Sequence, residues 1–208
     1  MATAGHPPRV VLVDSGGTNI ASVKFALERL GVSCELTADA ATIQAADRVI
    51  LPGVGAAGAG MRRLGVAGLV PVLQGLTQPL LGVCLGMQLL FEASAEDGGV
   101  QCLALIPGEV EPITPGPGLR VPHMGWNTLQ VIREDPLTST LKPGDRGYFV
   151  HSYAAPITEH TVASTWHGRD YAAVVRRGNR WGAQFHPERS ASVGAAILAH
   201  FVWEASHE

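Results

Sequence analysis

Gly82-Val83-Cys84-Leu85-Gly86 sets a thiol between glycines, where the buried-type run PLLGVC (79–84) passes straight into a helical pattern. A strand that turns sharply into a helix needs neighbours without a Cβ, and a nucleophile at that corner stands clear of the backbone. Cys84 would then sit at a helix N-terminus, where the dipole favours the thiolate. The N–H of Leu85 would face an oxyanion formed by attack at the sulfur. A buried structural cysteine in a glycine-flanked turn is the plainer reading of the same residues. A second constellation weighs against it. In His186-Pro187-Glu188 the proline holds His186 extended, and residues two apart in an extended chain project to one side. Glu188 is thereby placed to orient the imidazole as the acid of a triad. His-Pro-Glu alone suits an exposed turn; joined with a cysteine corner, it favours chemistry.

Two further motifs admit rival readings. Gly53, Gly55 and Gly58 in PGVGAAG (52–58) match the dinucleotide pattern GxGxxG after a strand. That pattern needs an acidic residue about 20 positions on, and no Asp or Glu lies between Arg48 and Phe91. The loop serves better as a flexible donor of backbone N–H groups beside Cys84. Pro122-His123-Met124-Gly125-Trp126-Asn127 is polar-aromatic rather than strand-like. Trp126 suits either ordinary core or a partner-facing surface.

The elements that must carry these residues are legible in outline. RVVLVD (9–14), SCELT (33–37), RVILP (48–52) and PLLGVC (79–84) read as strands. Helical patterns lie between them: Ile20, Val23, Leu27 and Leu30; a short piece after Asp39; a stretch near Met61–Leu69; and LGMQLLFEAS (85–94) after Cys84. Such alternation predicts a mostly parallel central sheet flanked by helices. From Val100 to Glu188 the chain becomes strand-rich with frequent turns, an antiparallel addition to the α/β core. Ser190 is placed to cap a last helix that buries Val193, Ile197 and Phe201. No linker or repeat interrupts residues 1–208, which read as a single domain.

Composition narrows the function classes. The 208 residues are 46% hydrophobic and carry a net charge of −3, enough for a sizeable core and no basic footprint for nucleic acid or an anionic membrane. Leu64–Phe91 is uncharged, yet prolines, glutamines and turn residues divide it, so it reads as buried core rather than a membrane span. Cys34, Cys84 and Cys102 form no CxxC pair, and the eight histidines show no ligand spacing. Neither a metal nor a cofactor is expected. MATAGHPPR lacks a hydrophobic signal core, which points to the cytoplasm.

The GVCLGMQ corner, QFHPE and the PGVG loop together resemble the class I, triad-type glutamine amidotransferases, from Val11 to the final helix. PHMGWN (122–127) and YFVHSY (148–153) resemble the branch that serves a cyclase partner in histidine biosynthesis. The resemblance implies that Cys84 attacks the glutamine amide, that His186 shuttles protons and that Glu188 orients it. It implies that Leu85 and the Gly53-Val54-Gly55 loop stabilise the oxyanion, and that Gln88, His151, Ser152 and Tyr153 hold glutamine. His123, Trp126, Asn127, Tyr148 and Arg189 would face the cyclase, a (β/α)₈ barrel through which ammonia reaches a phosphorylated ribonucleotide intermediate. Two positions depart from the pattern. Asp14-Ser15-Gly16-Gly17-Thr18-Asn19 replaces the usual Asp-Tyr-Gly-x-Gly-Asn, so no interface role is assigned to Ser15; Arg189 replaces Lys, keeping the charge with a different hydrogen-bond geometry. The glutaminase of another pathway (anthranilate or pyridoxal phosphate synthesis), a non-catalytic nucleotide-binding module and a free-standing cysteine hydrolase remain open alternatives.

Overall fold

Val10–Val13 (β1) has no polar alternation because neither of its faces meets water. Val10 and Leu12 enter one hydrophobic cluster, Val11 and Val13 the other, on opposite sides of the sheet. This computed structural model describes residues 7–15 and 20–205. The 16–19 part of the first turn, where the sequence departs from the family pattern, lies outside the described residues.

β1 belongs to an eight-stranded sheet. Its parallel part runs Cys34–Thr37 (β2), β1, Arg48–Gly53 (β3), Leu80–Cys84 (β4) and Arg180–Ala183 (β14). Asp170–Arg177 (β13), Thr161–Trp166 (β12) and Gln130–Val131 (β9) continue it antiparallel. Phe91–Ser94 (β5), Val100–Gln101 (β6), Ile106–Pro112 (β7) and Tyr153–Ala154 (β11) form a four-stranded sheet. His123–Thr128 (β8) and Arg146–His151 (β10) make an antiparallel pair.

Helices cover both faces of the large sheet. Ile20–Arg29 (α1) and Ala191–Trp203 (α6) send Ile20, Val23, Leu27, Ile197 and Phe201 into the cluster of Val10 and Leu12. Ala40–Gln44 (α2), Ala57–Val66 (α3), Leu69–Gln74 (α4) and Leu85–Leu89 (α5) pack Ile43, Leu64, Leu73 and Leu89 against the other side. The mostly parallel α/β sheet with an antiparallel addition is as the sequence predicts. The uncharged run from Leu64 is divided among α3, α4, β4, α5 and the start of β5; among the described residues no helix is long and apolar enough to cross a membrane.

Three local expectations are corrected. LGMQLLFEAS is not one helix: α5 ends at Leu89 and β5 begins at Phe91, pairing in parallel with β7. Leu-Leu-Phe satisfies both periods, and the available sheet edge decides. PHMGWN contributes a strand, β8, whose residues alternate between buried or half-buried (His123, Gly125, Asn127) and exposed (Met124, Trp126, Thr128). Ser190 does precede α6, but its hydroxyl makes no cap hydrogen bond because it is engaged elsewhere, as described below.

Candidate active site

Parallel strands deliver all the chemistry to one end of the sheet. Gly53, the last residue of β3, lies in register with Cys84, the last of β4, and Ala183 of β14 lies opposite Val83. The crevice beyond the carboxyl ends of such strands is the usual ligand site of open α/β sheets. Cys84 has φ 54 and ψ −112, a strained corner between β4 and α5. Gly86 makes the corner possible: a Cβ there would lie 1.8 Å from the Leu51 carbonyl oxygen of β3.

His186 stands extended at φ −93, ψ 98, and Pro187–Arg189 then forms a single 3₁₀ turn. Glu188 is therefore brought back by the turn, not by the extended alternation the sequence suggests. His186 Nδ1 lies 2.9 Å from Glu188 Oε1, and the Glu188 side chain is 1% exposed. A carboxylate accepts, so Nδ1 carries the proton and Nε2 is left for Cys84. Burial opposes charge on this ring, but hydrogen bonds and Coulombic attraction from Cys84 and Glu188 outweigh it and raise the pKa to about 10. The ring is held as an imidazolium, an acid ready for a leaving amine. The Cys84 thiol also reaches the Val150 carbonyl at 3.9 Å.

The turn is clamped to β10. His186 N–H donates to Tyr148 O at 2.9 Å and Tyr148 N–H donates to Ser190 Oγ at 2.9 Å. Ser190 Oγ in turn donates to His186 O at 2.7 Å. Ser190 thus fixes the triad turn, which no capping rule reveals.

A cleft of about 320 Å³ opens beside the thiol, lined by Val54, Gly55, Cys84, Leu85, Gln88, His151, Ser152, Tyr153 and His186. Its size is that of a site for a small metabolite. A cysteine sulfur hydrogen-bonded to an imidazolium that a buried carboxylate orients, at the mouth of such a cleft, is equipped for acyl transfer.

The family model described as glutamine amidotransferase class-I matches residues 11–205. The chain belongs to that family. The imidazole glycerol phosphate synthase subunit HisH of Xanthomonas axonopodis pv. citri (strain 306) is 56% identical over 193 residues, 93% of this chain and 96% of that protein. HisH of Xylella fastidiosa (strain 9a5c) is 54% identical over the same shares. A solved glutamine amidotransferase superposes with a TM-score of 0.71 at 21% identity, over 92% of this chain and 96% of its own. The structure of PurLQS from Thermotoga maritima gives 0.65 at 18% identity, over 94% of this chain and 98% of the matched one; these two likenesses concern the fold.

In this amidotransferase most site residues read from the sequence converge. Val54, Gly55 and Leu85 line the cleft, whereas Gly53 lines a separate small void with Val83, His186 and Glu188. Gln88 is buried and donates from Nε2 to Tyr153 O at 2.8 Å and to Gln184 Oε1 at 3.0 Å. Glu96, which no motif marks, also lines the cleft and accepts the Ala57 N–H of α3 at 2.6 Å.

Trp126 is 51% exposed, its ring 5.9 Å from that of Tyr148, and Arg189 lies over the Tyr148 ring at 5.6 Å. These three make one outward patch adjoining Glu188. His123 does not join it. At 4% exposure it is turned inward between Phe149 and His167, because side chains of a strand alternate and Trp126 takes the outer face. Asn127 likewise bonds back to His123 and to Trp166 O.

Glu188→Ala should remove ammonia release less completely than loss of Cys84 or His186, by roughly 10–100-fold. Its carboxylate holds the His186 Nδ1 proton at 2.9 Å, and without it the Cys84–His186 pair still meets. Steady-state kcat of the three variants checks the ranking.

Proposed function

We propose that this amidotransferase is the glutamine-hydrolysing subunit of imidazole glycerol phosphate synthase in the cytoplasm. In this reading it passes ammonia to the cyclase subunit, which makes imidazole glycerol phosphate and AICAR in histidine biosynthesis. The observation that carries the chemistry is His186 held between Glu188 and Cys84 at the cleft. The likeness to HisH proteins across 93% of the chain supports the pathway.

The Cys84 thiolate attacks the side-chain carbonyl carbon of glutamine. The oxygen becomes an oxyanion facing the Leu85 N–H and the Val54–Gly55 loop, where one such donor is typically worth about 10²–10³ in rate. His186 gives its proton to the nitrogen, ammonia leaves, and a γ-glutamyl thioester remains. Water then attacks the thioester, His186 takes its proton, and collapse releases glutamate and restores the thiolate–imidazolium pair. The Glu96 carboxylate suits the α-ammonium of glutamine, and His151, Ser152 and Tyr153 line the same cleft.

Trp126, Tyr148 and Arg189 offer the cyclase an aromatic and cationic surface of the kind enriched at interfaces. Trp126→Ala is expected to weaken stimulation by the ligand-loaded cyclase by at least about tenfold, as loss of a buried interface tryptophan does. Basal glutaminase activity should be unchanged, since the ring is outside the cleft. Full stimulation in that variant would move the docking face elsewhere, and tight coupling to a different synthase would support the other-pathway alternative.

A further inference from the structure

β8 and β10 enclose a row of side chains that the thioester chemistry does not use. Tyr153 O accepts two hydrogen bonds at 2.8 Å, from His151 Nδ1 and from Gln88 Nε2. A carbonyl only accepts, so His151 carries its proton on Nδ1 and its Nε2 is bare. His123 Nδ1 lies 2.9 Å from that bare nitrogen and must donate to it. The other nitrogen of His123 is then an acceptor, which Asn127 Nδ2 serves at 3.0 Å while donating also to Trp166 O at 2.8 Å. Asn127 Oδ1 accepts the Thr128 N–H at 2.8 Å, which fixes the amide orientation. From Asn127 to Tyr153 every proton position follows, and all the bonds point one way.

Both imidazoles are held neutral, as this chain requires. Burial and the neighbouring His151 and His167 lower His123 to about 3. Burial lowers His151 to about 4, with His167 and His186 acting in the same direction against the Tyr153 hydrogen bond. The second hydrogen of Gln88 Nε2 goes to Gln184 Oε1 at 3.0 Å. With both amide hydrogens engaged inside the protein, the atom Gln88 has left for a ligand is Oε1, an acceptor.

We propose that Asn127 and His123 are positioning residues for the substrate cleft, acting through His151 on the Tyr153 carbonyl and so on the Gln88 amide. The inference rests on the reading of this cleft as the glutamine site. It reassigns two residues that their neighbour Trp126 would place at the partner surface. Gln88 then offers glutamine an acceptor, which selects a donor N–H of the substrate.

The test uses the full chain, alone and with its cyclase. His123→Phe keeps a ring against Phe149 and His167 but removes the donor to His151; His123→Asn returns an N–H near the Nδ1 position. Loss of one such bond should raise the glutamine KM about tenfold in His123→Phe, with kcat little changed and partial return in His123→Asn. In NMR of the free chain, wild type should show both rings neutral with the proton on Nδ1. The Gln88 side-chain amide resonance should move in His123→Phe and move back in His123→Asn. An unmoved Gln88 resonance, equal damage in both variants, or a proton on Nε2 of either ring would overturn the proposal. A wild type that neither releases ammonia from glutamine nor is labelled at Cys84 by a glutamine analogue would instead sink the glutaminase reading, and the Gln88 resonance would still decide this one. If His123→Phe does not fold, Asn127→Asp serves. Its carboxylate cannot donate, so His123 must take a proton on Nε2, and a neutral His123 donating only from Nδ1 would overturn the proposal.

Discussion

Cys84→Ala should abolish ammonia release from glutamine, by at least about 10⁴-fold, while the folded protein persists. No other thiol can substitute, because Cys34 and Cys102 lie away from the cleft lining. The alanine fits the corner with a Cβ of its own, so the strain at φ 54 is unchanged. The variant should also report on His186. Its pKa is raised to about 10 against the pull of burial, by Cys84 and Glu188 together. Removing the sulfur leaves Glu188 alone to oppose burial, so the His186 titration should move to lower pH. The sign for stability follows. A raised folded pKa means a contribution that is complete below about 6.5 and lost as pH rises through about 10, and the variant should lose part of it. NMR titration and thermal melts at several pH values check both. Retained ammonia release would remove Cys84 from the chemistry.

Gly86→Ala should act on the fold before the chemistry. Its Cβ would fall 1.8 Å from Leu51 O and 2.9 Å from Leu51 C, backbone atoms of a central strand that cannot step aside. Either β3 or the Cys84 corner must shift, at a cost of at least about 3 kcal/mol. For a chain of this length that lowers Tm by roughly 6–12 °C or more. Any folded fraction should be inactive, since the shift misplaces the sulfur. Gly55→Ala provides the contrast. Nothing lies within 4 Å of its Cβ, so the cost comes from φ +95 alone, about 1–2 kcal/mol. Comparable melting of the two variants would mean that the corner is softer than its geometry indicates.

The meeting of Cys84, His186 and Glu188 was legible because its signals are local. A thiol between glycines at a strand–helix corner, and a histidine fixed by the following proline, announce themselves in five and three residues. The sheet was legible for a related reason: runs such as VVLV are apolar on both faces only in a covered parallel sheet. What sequence did not carry depends on contacts between distant segments. Ser190 looks like a helix cap, and only the approach of Tyr148 shows that it clamps the triad turn. His123 sits in a partner-facing residue pattern, and β8 had to be recognised as a strand before alternation could turn it inward. Glu96 follows no motif; it reaches the cleft because α3 starts beside it at Ala57. The end of α5 at Leu89 was settled by β7 offering an edge to Phe91, a choice that local periodicity leaves open.

The most direct test of the glutaminase and its partner is ammonia release from glutamine by the purified chain, alone and with a cyclase subunit carrying its nucleotide ligand. Little release from the chain alone and strong stimulation by the loaded partner are expected, both lost in Cys84→Ala. Full activity without any partner would contradict this and identify an independent hydrolase. Silence with the loaded cyclase, while a glutamine analogue still labels Cys84, would keep the triad and contradict the assigned partner.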